Sequence, residues 1–300
     1  MRPVCFFLLL IAPGFAAVFA DEQVPAYVLR LPDSVGSVFI AETSTARFRR
    51  YENTGNGPLI LRDDSYMSIG DNGDHKQDAG DRKTPLGIFF VTEQLDTERM
   101  HEKYGYTAFT LDYPNALDRR MWRTGDGIWV HGVDRRGGQR PPFDTDGCIA
   151  LPNERLAELE RYFQANVTPV IIARTLEWTT AEKMETLRHE LEALVSRWAE
   201  SQQRGDLHAF LSLYDDDFRH WGMNKSEWVV LKTETLQARS IQSIAVDELM
   251  LLADTIEVET YLSRFRMSSR ESGATVVVTK RLYWRRDENG ALKLIAEDSG

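Results

Sequence analysis

Apolar residues fall in two rhythms along this chain. From residue 35 to about 174 they come in short runs separated by Gly, Pro and Asp. The runs at 37–41 and 46–51 flank Glu42-Thr43-Ser44-Thr45 and predict a β-hairpin. Further strands are predicted at 59–61, 87–91, 127–131 and 167–173. Pro169 makes the last an edge strand or one that starts late, because proline cannot donate to a ladder. One helix interrupts them, from 154 to about 164, with Asn153 as its cap and Leu156, Leu159 and Phe163 along one face. From Thr179 the spacing becomes helical. Thr179 and Glu182 have capping-box spacing, and Leu187, Leu191, Leu194, Val195 and Trp198 share a stripe of a helix ending near 203. Gly205-Asp206 breaks it; short helices are predicted at 207–214 and 225–236. Strands then follow at 256–262 and 275–284, and Asn289-Gly290 turns the chain into 292–295.

The fold class expected is a mainly β domain with a few helices over 35–175, followed over 180–300 by an α+β domain whose helices precede an antiparallel sheet. There are no internal repeats. A third rhythm precedes both. Arg2, an apolar stretch over 4–19, and Val18 and Ala20 at positions −3 and −1 before Asp21 read as an export signal over 1–20. That stretch holds Pro13 and Gly14 and is short for a spanning helix. Hydrophobic residues at 42% and charged ones at 27% describe globular domains, and a formal net charge of −10 argues against nucleic acid or an anionic membrane as partner. Removing the signal takes away Arg2 and no acid, so the rest is one unit more negative.

Without the signal a single cysteine remains, Cys148 in Thr145-Asp146-Gly147-Cys148-Ile149. A lone thiol in an oxidising compartment is a liability unless its chemistry is used. His131 ends the predicted strand 127–131 in Trp129-Val130-His131-Gly132. An imidazole beside a thiol can take its proton, and the freedom of Gly147 would leave amide donors for an oxyanion. The acidic loop Asp71, Asp74, Asp78 and Asp81 lacks the order of a calcium hand, and His75 and His101 lack zinc spacing. No metal and no cofactor is expected.

His131-Gly132, a spacer, and Thr145-x-Gly147-Cys148 resemble the active-site signature of the L,D-transpeptidase catalytic domain (the YkuD type), a peptidoglycan-processing family. The block Gly80-Asp81-Arg82-Lys83-Thr84-Pro85-Leu86-Gly87-Ile88-Phe89 is similar to the family's Gly-Asp-x-x-Thr-Pro-x-Gly-x-Tyr/Phe stretch. The resemblance covers about 35 to 174. It implies a periplasmic enzyme in which Cys148 attacks the carbonyl between diaminopimelate and D-alanine of a peptidoglycan stem peptide. His131 would move the proton, the Gly132 carbonyl would orient the imidazole, and the amides of Gly147 and Cys148 would form the oxyanion hole. Thr145, Arg123, Arg140 and Trp129 are expected to contact substrate. Many members carry Arg two positions after the cysteine, where this chain has Ala150; Arg123, Arg135, Arg136 and Arg140 are the candidates to replace it. Trp122 and Trp129 either line the cleft or pack in the core.

Trp198, Gly205-Asp206, Tyr214 and Asp217-Phe218 resemble the opening of nuclear-transport-factor-2-like domains, which implies a cone of helices on a curved sheet. Such a cone serves as an accessory domain, pairing into a homodimer or engaging a protein partner, or hosts a pocket, for which Asp206, His208 and His220 are the candidates. The pairing of the two domains looks like the L,D-carboxypeptidases that trim stem peptides and affect cell shape in curved and helical bacteria. The expected outcomes are therefore transpeptidation or carboxypeptidation, with cleavage of a protein–peptidoglycan link as a third. Two rival readings are a non-catalytic wall-binding module, for which Ala150 speaks, and a Cys148-linked dimer or redox protein.

Overall fold

In the computed structural model, the described residues are 23–300 except 56, 239–240 and 272. The export signal expected over 1–20 lies outside them. The chain builds two large sheets. The first has eight strands in the order Ile149–Ala150, Trp129–His131, Thr107–Leu111, Gly87–Asp96, Pro169–Ala173, Ser37–Glu42, Arg47–Glu52 and Ile60–Tyr66. It curls into a half-barrel. The predicted hairpin is present, with Val38 opposite Tyr51 and Ala41 opposite Phe48. Pro169 opens its strand, which runs between two neighbours; as its first residue the missing N–H costs no interior ladder bond.

One face of this sheet closes over Phe39, Phe48, Phe109 and Phe163, whose rings stack with centroids 4.2 Å (Phe39–Phe163) and 4.4 Å (Phe109–Phe163) apart. Leu156 and Leu159 of the helix Asn153–Leu159 seal that face. The cap differs from expectation. Pro152 stands at the N-cap, and Asn153 instead reaches the Asp134 carbonyl at 3.3 Å.

The second sheet has seven strands in the order Met223–Asn224, Tyr214–His220, Leu292–Ser299, Ala274–Arg286, Thr260–Glu271, Ile241–Ala253 and Val28–Arg30. The helix Ala181–Gln203 lies across it, capped by Thr180 rather than Thr179, whose neighbour's hydroxyl accepts from the Lys183 N–H at 3.3 Å. Trp198, Phe210, Tyr214, Phe218, Trp228, Phe265 and Trp284 fill the cone between helices and sheet. The strand predicted at 256–262 is mostly a loop. Asp254 Oδ1 accepts from the amides of Ile256 and Glu257 at 2.9 Å each, and Val258 is exposed.

The sheets share a core. Val38, Ile40, Ile88, Phe90 and Ile171 of the first meet Met250, Leu252, Leu262, Tyr283 and Ile295 of the second. Buried ion pairs flank it. Arg281 binds Asp298 at 2.6 Å and also Asp112 of the first sheet, and Arg119 reaches Asp298 at 3.0 Å. Removing one partner from such a cluster would strand a buried charge, so the two halves form one packed body.

Candidate active site

The strand Ile149–Ala150 runs parallel to Trp129–His131, with Ile149 opposite Val130 and Ala150 opposite His131. That register carries Cys148 alongside Trp129, two residues before His131 on the neighbouring strand. The 17 positions between them in the sequence thus become neighbouring strands with an offset of two residues, which puts both side chains on the same face. Cys148 and His131 line one cleft of about 480 Å³ together with Trp129, Arg140, Thr145 and Gly127. A larger groove of about 740 Å³ along Val28–Arg30 gathers neither cysteine nor histidine.

His131 is buried. Its Nδ1 lies 2.6 Å from the Gly132 carbonyl, so Nδ1 holds the proton and Nε2 is the free acceptor. The Tyr104 ring meets the imidazole edge-on, centroids 5.2 Å apart, and packs tilted against Trp129 at 5.1 Å. Gly132 is required by close packing, since a Cβ there would come within 2.2 Å of Asn153 Oδ1. Burial pulls the imidazole pKa down to about 4, against the raising effect of the Gly132 carbonyl, and the Arg140 and Lys103 charges lower it further. The Cys148 sulfur donates to the Gly127 carbonyl at 3.4 Å. Burial pushes the thiol up to about 11, while the Trp129 N–H works in the opposite direction. Both groups are therefore neutral at rest across the middle pH range.

The loop that presents Cys148 is stapled internally. Thr145 Oγ1 donates to the Cys148 carbonyl at 2.7 Å and accepts from the Gly147 amide at 3.1 Å. This revises two expectations. The Thr145 hydroxyl is spent on the loop rather than offered to substrate, and the Gly147 N–H is engaged by it. Gly147 has φ of +121°, and a Cβ on it would sit 2.7 Å from the Lys83 carbonyl oxygen. The upstream block now has a physical role. Thr84, fully buried, donates to the Gly147 carbonyl and accepts from the Gly70 amide, both at 2.9 Å. Asp81 accepts from Lys76 and from the amides of Gln77, Asp78 and Lys83; these outweigh its burial and hold its carboxyl down to about 2. Thr84→Val keeps the shape and strands two buried backbone groups. It is expected to lower stability by about 2 kcal/mol or more, read as a Tm drop of several degrees in thermal denaturation.

Arg140 lines the cleft, its guanidinium held by the carbonyls of Asp144 at 2.8 Å and Lys103 at 3.0 Å. Arg123 does not. It is buried between the two halves, 3.1 Å from Asp118 and 3.4 Å from Glu257, because a guanidinium enclosed there needs carboxylate partners. Arg135 braces the Gly105 carbonyl at 3.1 Å, and Arg136 is exposed beside Asp134. Ala150 is buried and exchanges both backbone hydrogen bonds with Ser68 at 2.9 Å. Arg82, Lys103, Tyr104 and Asp126 also line the cleft and were not singled out in the sequence. Arg82 and Lys103 share Asp146, at 3.3 and 3.0 Å. Arg82 stands inside the Gly80–Phe89 block at one of its unspecified positions, and Lys103, Tyr104 and Asp126 carry no signal in the sequence.

In the second half two of the three candidate pocket residues, Asp206 and His220, have structural partners. Asp206 caps the helix Leu207–Leu211, accepting from Ala209 N–H at 2.9 Å, and His220 Nδ1 lies 2.9 Å from the Glu297 carbonyl.

Residues 37–172 match the L,D-transpeptidase catalytic domain (YkuD), and residues 190–298 match the Cds6 C-terminal NTF2-like domain. No curated protein matches the chain. Among solved structures, Bd1075 of Bdellovibrio bacteriovorus is 22% identical over 93% of this chain and 98% of its own, with a TM-score of 0.74. The helical cell shape determining protein Pgp2 of Campylobacter jejuni is 23% identical over 93% of this chain and 96% of its own, with a TM-score of 0.73. At these identities the likeness establishes a shared two-part fold.

Proposed function

With an L,D-transpeptidase catalytic domain of the YkuD type joined to a C-terminal NTF2-like domain as the premise, we propose that this chain is a periplasmic enzyme that opens the diaminopimelate–D-alanine bond of peptidoglycan stem peptides. The observation that carries the reading is the neutral Cys148–His131 pair in one cleft, with Nε2 left as acceptor. Attack joins the Cys148 sulfur to the carbonyl carbon as the thiol proton passes to His131 Nε2. The oxyanion is met by the Cys148 amide. His131 returns the proton to the departing amine, releasing D-alanine and leaving a thioester on Cys148. Arg140 takes the substrate carboxylate for which other members use the residue two positions after the cysteine, and Trp129 with Tyr104 forms an aromatic wall.

The acceptor decides the outcome. An amine gives a diaminopimelate–diaminopimelate cross-link and water gives a tripeptide. Water is the reading favoured by the pairing of the two domains, which resembles that of L,D-carboxypeptidases, and the fold shared with a helical cell shape determining protein extends a role in cell shape to this chain. The engaged Gly132–His131 geometry speaks against a vestigial wall-binding module. Incubating the protein with purified muropeptides and following products by mass spectrometry tests all of this. Tripeptide means hydrolysis and dimers mean transpeptidation. Unchanged muropeptides would sink the proposal.

A further inference from the structure

Trp122 and Trp221 stand where glycine or asparagine is the norm. Trp122 follows the helix Ala116–Arg120 and its C-cap Met121, with φ of +60°, and is 76% exposed. Trp221 is the first residue of the two-residue turn between Tyr214–His220 and Met223–Asn224. His220 pairs with Met223, and Trp221 and Gly222 have φ of +47° and +83°, the signs of a type I′ turn. A bulky residue in that conformation carries backbone strain, which persists where the surroundings or a function demand it. Burial does not offset it here, since Trp221 is 68% exposed. Its indole face is covered by the Arg119 guanidinium at 4.1 Å. Both tryptophans line one shallow cleft at the junction of the two halves, with Arg119, Arg219 and His220.

The charges of this cleft are already matched. Arg119 pairs with Asp298 at 3.0 Å, Arg120 pairs with Asp217, and Arg219 stands 3.8 Å from Asp217. An anionic polymer would find little uncompensated positive charge. What remains is two exposed indoles, Trp122 open and Trp221 covered by Arg119 on one face, rimmed by groups that are already paired, the surface that suits the C–H face of a neutral polyhydroxylated ring. Trp122 precedes Asp126, at the edge of the catalytic cleft, by four residues, so at most about 14 Å of chain separates Trp122 from that edge.

We propose that this cleft is a saccharide platform that seats the glycan strand from which the stem peptide hangs. The inference rests on the peptidoglycan reading above. It explains why two strained, exposed tryptophans, one just past the helix Ala116–Arg120 and one on a hairpin of the second sheet, line the same cleft.

The test is pelleting of the full chain with purified sacculi and with peptide-free glycan strands whose freed carboxylates are blocked as amides to keep them neutral, scored in a Cys148→Ala background so that retention is independent of whether the reaction occurs. Trp122→Gly with Trp221→Asn gives each turn a residue suited to its φ, so Tm should hold or rise. Retention on both materials is expected to fall roughly tenfold. Retention unchanged in the double variant overturns the platform. So does failure of the Cys148→Ala parent to bind peptide-free strands, which would point to a peptide or protein occupant. A parent that binds strands through the tryptophans, in a chain that leaves muropeptides unaltered, would sink the enzymatic reading and keep this one.

Discussion

Cys148→Ala is expected to abolish release of D-alanine from muropeptides, with kcat lowered by about 10⁴-fold or more. The substitution removes the atom to which the acyl group attaches, and no second thiol exists among the described residues to take its place. The fold should survive. The side chain is 9% exposed, and its hydrogen bond is a single long contact, Sγ to the Gly127 carbonyl at 3.4 Å. The stapling of the loop runs through Thr145 and Thr84 instead. Stability should therefore change by about 1 kcal/mol or less. Cys148→Ser should be as inactive, because a hydroxyl is far harder to ionise than a thiol. Product analysis by mass spectrometry beside a melting curve separates the outcomes. An alanine variant that still trims or cross-links stem peptides would end the cysteine mechanism, and one that melts far below the parent would mean that the sulfur is structural.

The parts of this site legible in the sequence are those carried by local chemistry. Cys148, His131 and Gly132 announce themselves by residue type, and the structure brings them into one cleft through the parallel register of Ile149–Ala150 on Trp129–His131. The long helix was legible for the same reason, since its apolar stripe is a local repeat. Residues delivered by long-range packing were not. Arg82 and Lys103 reach the cleft from separate loops and converge on Asp146. Arg123 looked like a substrate ligand because it lies in the long segment preceding Cys148, yet its guanidinium is buried against Asp118 and Glu257. The strand Ile241–Ala253 escaped detection because its alternation is interrupted, with Glu248 at φ of +56° and a register shift between Asp247 and Met250. Val28–Arg30 completes the second sheet from the other end of the chain, pairing with Leu251 and Leu252. Nothing in a three-residue apolar run states such a partner.

His131→Ala should lower kcat/KM at pH 7 by about 10³-fold or more, and the pH profile should change shape. In the parent the reactive state is the neutral pair. Acid protonates the imidazole as pH falls through about 4, and the base is lost. Alkali ionises the thiol as pH rises through about 11, and the proton needed by the leaving amine is gone. The parent should therefore be flat between those limits as far as its own groups determine. In the variant no imidazole takes the proton, so attack depends on thiolate present beforehand. With a thiol at about 11, that fraction is about 10⁻⁴ at pH 7 and rises tenfold per pH unit. The acid limb near 4 should disappear and the residual rate should climb steadily with pH. Carboxamidomethylation of Cys148 by iodoacetamide gives the same slope without any substrate, so an error about the natural substrate would leave this test standing. A variant that keeps the parent's plateau would show that Nε2 is not the acceptor. A parent whose rate already climbs tenfold per pH unit through neutrality would mean that His131 does not assist the thiol at all.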